Sequence, residues 1–189
     1  MSKLLQHSKS QRARYQSQNE RPAFNIEDDI YVSAGFIPSF RDSNNKIYYM
    51  LQKRADKPHY EDLGGKSDPT DQSIDDIVIR ETLEELNFIA PKSDQPDIDK
   101  TPFDQETLPE IIKQADQILI PKSKYVLYLT ELDFRPEYLD TDHYANAELD
   151  KNGNHALSRT IHFLTREEIG KVMLHPRLNG CLKFILGEA

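Results

Sequence analysis

Tryptophan is missing from the 189 residues, and cysteine occurs once, at Cys181. A single thiol excludes an intramolecular disulfide and any metal site built on a pair of thiolates, which suits a reducing compartment and makes the cytoplasm the expected location. Long apolar runs are lacking too. Nothing approaches the roughly 18 residues of a membrane span, and the N-terminus has no apolar centre of the kind a secretory signal needs, so no membrane partner is expected. Glycine is scarce at 7 residues, and the Gly-rich dinucleotide, Walker-type and nucleophile-elbow signatures are all absent. The six histidines show no recognisable ligand spacing. Structural or solvent-facing roles are expected for them, including His175 in the run His175-Pro176-Arg177.

Acid outweighs base by 8 charges, unevenly. Residues 1–21 carry Lys3, Lys9, Arg12, Arg14 and Arg21 against Glu20 alone, leaving 19 basic and 31 acidic residues elsewhere, a net of −12. The head of the chain is rich in Ser and Gln and has no apolar periodicity. Residues 1–24 therefore read as a basic arm, and a basic arm on an acidic body can serve an RNA partner or simply solubilise. The remaining 25–189 suit one domain with a sizeable core, with insertions near 89–110 and 133–158. The oligomeric state is not legible.

What the chain does contain is an acidic helix. In the run Arg80-Glu81-Thr82-Leu83-Glu84-Glu85, a turn of about 100° per residue puts Glu84 and Glu85 roughly 60° and 40° to either side of Glu81. Ile74, Ile77 and Val78 lie on the same stripe, while Ile79, Leu83 and Leu86 lie opposite, so the helix is covered on both sides. Carboxylates this close raise one another's pKa unless a cation neutralises them. Oxygen-only ligands favour Mg²⁺ or Mn²⁺ over Zn²⁺. Upstream, Leu63-Gly64-Gly65-Lys66 reads as a strand end running into a flexible glycine turn, and Ser73 with Asp76 reads as the N-cap and capping-box partner that open the helix.

The order of strand, glycine loop and acidic helix resembles the Nudix hydrolase signature over residues 65–88. That signature runs Gly, five residues, Glu, seven residues, then Arg-Glu-hydrophobic-x-Glu-Glu-x-Gly-hydrophobic. Arg80, Glu81, Glu84, Glu85 and Phe88 match in register. Three positions depart. Gln72 stands where the signature has Glu, Thr82 where it has a hydrophobic residue, and Asn87 where it has Gly; the loop after Gly65 is also one residue longer, which leaves Asp71 within reach of the vacant role.

The resemblance implies an α/β (α+β) fold, a Nudix-type α/β/α sandwich around a mixed sheet. It implies a pyrophosphohydrolase that cleaves a nucleoside diphosphate linked to another moiety: a nucleotide, nucleotide sugar, dinucleoside polyphosphate or capped RNA. Glu81, Glu84 and Glu85 would hold Mg²⁺ (or Mn²⁺), and Arg80 would orient a box glutamate. Gly65, Lys66 and Arg54 would meet substrate phosphates. In some such proteins the general base lies outside the signature on a variable loop, with Glu131, Glu148 and Asp150 as candidates here. The departures keep a second reading open, a non-catalytic nucleotide- or RNA-binding regulatory module.

Elsewhere, residues 30–40 read as a strand interrupted by Gly35, and residues 46–53 as its hairpin partner across Asp42-Ser43-Asn44-Asn45. A short helix is expected from Leu108, then a hairpin of residues 118–120 and 125–132. Tyr125, Leu127 and Leu129 should face one way, with Val126 and Tyr128 the other. Residues 159–164 form a further strand, Thr165 to Glu168 a capping box, and Leu178, Cys181, Leu182 and Ile185 one amphipathic terminal helix.

Overall fold

The computed structural model describes residues 21–86, 102–133 and 159–187. In chain order its elements are β1 (Phe24–Ile26), β2 (Asp29–Tyr31), β3 (Ser33–Arg41), β4 (Ile47–Arg54), β5 (Tyr60–Glu61), β6 (Leu63–Lys66), α1 (Ile74–Leu86) and α2 (Leu108–Gln114). There follow β7 (Asp116–Ile120), β8 (Tyr125–Leu132), β9 (Arg159–Thr165), α3 (Arg166–Ile169) and α4 (Leu182–Ile185). Single 3₁₀ turns at Pro121–Ser123 and Pro176–Leu178 complete the chain.

β3 is the spine of a seven-stranded mixed sheet. It runs parallel to β8 along nearly its whole length, while β8 pairs antiparallel with β7. On its other edge β3 meets β4 over only three pairs, Ser39↔Tyr49 to Arg41↔Ile47. Beyond these pairs β3 takes β6 as its partner and β4 takes β5. The hairpin strands therefore part, and residues 60–66 fill the opening. β9 covers the outer edge of β4 from Tyr48↔Thr165 to Arg54↔Arg159. The hairpin turn holds because the Asp42 carboxylate accepts from the Asn44 and Lys46 amides at 2.9 and 2.8 Å, while Asn45 takes φ = 68°, which Asn tolerates.

Strand alternation splits the core into two layers. Phe36, Phe40, Met50, Leu63, Val126 and Tyr128 pack with Ile74, Ile77 and Val78 of α1 and with Leu108 and Ile112 of α2. On the other face Ile37, Leu51, Tyr125 and Leu127 pack with Ile169, Leu178, Cys181 and Ile185. Helices thus cover both faces of a mixed sheet, the expected α/β/α sandwich. The alternation of β8 follows the expected faces, and both capping boxes form: Ser73 with Asp76, and Thr165 with Glu168.

Several expectations are corrected. Phe24, placed in the arm, opens β1, and the Ser67 hydroxyl donates to the Pro22 carbonyl at 2.7 Å, so the domain starts earlier than residue 25. Phe103 and Leu108 are core residues, which ends the first insertion well before residue 110. Gly35 does not interrupt a strand; the break falls at Val32, and Gly35 lies within β3. The single terminal helix is instead a 3₁₀ turn and a four-residue α4, with Cys181 between them. Residues 1–20, the segments 87–101 and 134–158 (with Asn87, Phe88, Glu148 and Asp150) and residues 188–189 lie outside the described residues.

Thr82 supplies a test of the packing. Its side chain is wholly buried under α1, and its hydroxyl has no hydrogen-bond partner among the described residues. A buried hydroxyl left unsatisfied costs about 1–3 kcal/mol. Thr82→Val should therefore raise stability by about 1 kcal/mol, measured as a higher urea midpoint at unchanged slope. A lower midpoint would mean that the hydroxyl is bonded after all.

Candidate active site

The site sits where β3 and β4 part. The glycine run is not the flexible turn expected from its composition. It is β6, paired with β3 as Ala34↔Gly65 and Gly35↔Gly64. Close approach requires glycine at 64, where a Cβ would overlap the Ala34 carbonyl, while at 65 a Cβ would meet the Glu81 carboxylate. The Glu81 carboxylate thus packs against Gly65, and a side chain at residue 65 would make it shift.

Arg80 organises the acidic helix. Its guanidinium forks onto Asp71, Nε to Oδ1 at 3.0 Å and Nη2 to Oδ2 at 2.9 Å. Nη1 donates to Glu81 at 2.9 Å and to Glu84 at 3.3 Å, and Nη2 also reaches the Lys66 carbonyl at 3.0 Å. The fork on Asp71, reinforced by Glu81, holds the Arg80 pKa above its ordinary value against the opposing effect of burial. The Asp71 side chain is only 3% exposed, whereas Gln72 is exposed and its backbone amide donates to the Asp76 carboxylate at 2.8 Å. The extra loop residue thus carries Asp71, not Gln72, under the arginine.

Glu85 is the most deeply held of the three glutamates. One oxygen accepts from the Gly64 amide at 2.9 Å and from Gln52 Nε2 at 2.8 Å; the other meets Arg159. Burial pushes its carboxyl up to about 7, with Arg159 and Gln52 opposing and Glu81 adding to the rise. Glu84 is different: its side chain is 53% exposed, so the convergence on the glycine strand belongs to Glu81 and Glu85, with Glu84 at the rim. Gln52 and Arg159 escaped the sequence reading because neither belongs to a motif. The register Gln52↔Ile161 and Arg54↔Arg159 alone brings them to the site.

Arg54 ends β4 and is forked onto Asp56 at 3.0 and 2.9 Å. Lys66 ends β6 with its side chain exposed. Glu131 is not near the site. It is bound by the Arg41 guanidinium through two contacts of 2.7 Å at the C-terminal end of β3, whereas β6 pairs with the N-terminal end. That pairing also holds the Glu131 carboxyl below its ordinary pKa.

The donor set suits a hard divalent cation. Two carboxylates meet at a glycine strand, a third stands at the rim, and among the described residues no thiolate or imidazole joins them, a donor set of the kind that suits Mg²⁺ or Mn²⁺.

No family model and no curated protein matches the sequence. Solved structures do match in fold. The Nudix domain of Shewanella oneidensis NrtR, complexed with ADP ribose, aligns with a TM-score of 0.50 at 10% identity, over 87% of this chain and 90% of that one. The Nudix hydrolase RenU of M. smegmatis gives 0.45 at 10% identity over 84% and 85%. The C. elegans Ap4A hydrolase binary complex gives 0.45 at 18% over 82% and 97%. The chain has the Nudix fold.

Proposed function

We propose that the protein is a metal-dependent pyrophosphohydrolase of the Nudix type, acting on a nucleoside diphosphate linked to a further moiety. The observation that carries this reading is the Glu81–Glu85 pair, held against β6 by Arg80 from one side and by Gln52 and the Gly64 amide from the other. A site that fixes carboxylates so closely is pre-organised for a cation.

A bound divalent cation supplies charge neutralisation of the diphosphate and activation of water. The protein does the rest. Asp71 locks Arg80, so that Glu81 and Glu84 keep one orientation without an entropic cost at each turnover. Lys66, exposed at the end of β6, meets a phosphate directly, whereas Arg54 does so by exchanging Asp56 for it. Arg159, already against Glu85, is a third cation at the same opening. The ADP ribose bound by the Shewanella domain has the chemistry expected of a substrate.

Glu85 supports the alternative, a nucleotide-binding module without turnover, because its two oxygens already take three protein donors. A panel of ADP ribose, nucleotide sugars, dinucleoside polyphosphates, nucleoside triphosphates and capped RNA, with and without Mg²⁺, decides between them. Hydrolysis of at least one member only with the metal is expected. Binding without hydrolysis across the panel would favour the second reading.

A further inference from the structure

A separate cluster lies at the sheet edge beside the site. β5 and the segment before the Pro176–Leu178 turn are stitched by two backbone hydrogen bonds, Tyr60 amide to Met173 carbonyl and His175 amide to Tyr60 carbonyl, both 2.8 Å. This stitch sets His59 and Glu61, on either side of Tyr60, against His175, although the histidines are far apart in sequence. The two imidazoles meet edge to face at 4.8 Å between centroids, and His59 Nε2 stands 2.9 Å from a Glu61 oxygen. One potential ligand atom from each of the three residues lies within 4.8 Å of the others.

We propose that His59, Glu61 and His175 form a binding site for a transition-metal dication of the Zn²⁺ class, with water completing the coordination. Two imidazoles and one carboxylate are a borderline donor set that a hard ion such as Mg²⁺ does not favour. Bonds of about 2.0–2.2 Å to a shared tetrahedral ion set ligand atoms roughly 3.4 Å apart, so the His59–Glu61 contact of 2.9 Å would open and any pair near the 4.8 Å limit would close.

The His175 ring is held by the backbone beside it, its Nδ1 accepting from the Arg177 amide at 3.2 Å. The Arg177 guanidinium lies 3.8 Å from Glu61 but is forked onto Asp62, so two carboxylates face one arginine. Glu61 is 8% exposed and both histidines are half-buried, which limits water competition for the ligands. The bound ion would pin the strand leading into Gly64-Gly65 to the C-terminal segment. The inference does not depend on the hydrolase reading.

The test is calorimetric titration of Zn²⁺ into the full chain after chelator treatment. The wild type should bind one equivalent more than His59→Ala/His175→Ala, with a higher melting temperature in Zn²⁺ that millimolar Mg²⁺ does not reproduce. Glu61→Gln, which keeps the packing, should weaken that equivalent by at least about tenfold, since even indirect metal contacts are worth 10–100-fold. Glu81→Gln should retain it, separating this site from the acidic helix. Equal Zn²⁺ stoichiometry and affinity in the wild type and the double variant, or no binding to either, would overturn the proposal and leave His59–Glu61 as an ordinary charge pair.

Discussion

Glu81→Gln should lower turnover of the best substrate by at least about two orders of magnitude, with the fold intact. The amide keeps an oxygen for Arg80 Nη1 and the same shape against Gly65, so packing changes little, but the negative charge that the proposed metal site would use is removed. Losing one electrostatic stabiliser of that kind costs ~10²–10³ in kcat. The neighbouring departure from the Nudix signature should behave in the opposite way. Gln72→Glu should change turnover by no more than about tenfold, because residue 72 is exposed and the Arg80 fork is already taken by Asp71. Asp71→Asn should be far more damaging, because it unpairs the Arg80 fork and lets Glu81 and Glu84 swing. Turnover of the three variants across a Mg²⁺ titration checks the assignment. Parental activity in Glu81→Gln, or a large gain from Gln72→Glu, would contradict it.

The acidic helix was legible because its information is local: an arginine and three glutamates at helical spacing, apolar residues on both sides, and a capping box at Ser73. The strand pattern of β8 was legible for the same reason, since alternation with period two is a property of adjacent residues. What was not legible depended on register and on chain crossings. Gln52 and Arg159 reach Glu85 only because β4 pairs with both β5 and β9. The glycines looked like a turn because composition cannot distinguish glycine chosen for its dihedral freedom from glycine chosen for close approach. In this chain the second applies at Gly35, Gly64 and Gly65, where a Cβ would strike Tyr125 and Asp62, the Ala34 carbonyl and Glu81 respectively. Histidine spacing failed as a guide because His59 and His175 are joined by a strand-like bridge between distant segments.

Arg177→Leu should destabilise the protein by about 3–5 kcal/mol, the cost of leaving a buried carboxylate without its partner. Asp62 is fully buried between β5 and β6. One of its oxygens accepts Nε and Nη2 of Arg177 at 2.9 and 2.7 Å, and the other accepts the Tyr125 hydroxyl. Arg177 also stacks over the Tyr125 ring, 5.1 Å from its centroid. Burial opposes its charge, but the Asp62 carboxylate outweighs this and holds the arginine pKa above its ordinary value. The phenol is pushed the same way, well above its usual range, by burial and then by the Asp62 charge. This unit reaches the site through the backbone: the Asp62 carbonyl accepts from Gln52 Nε2 at 2.8 Å, and the same nitrogen donates to Glu85. Asp62→Asn/Arg177→Leu should recover part of the loss, because the uncompensated charge is then gone, and urea unfolding of the four proteins in the cycle gives the coupling. A coupling below about 0.5 kcal/mol would show that the pair is not what fastens the C-terminal segment to the glycine strand. A large one would make Arg177 the residue through which the end of the chain holds Gly64-Gly65, and with it Glu85, in place.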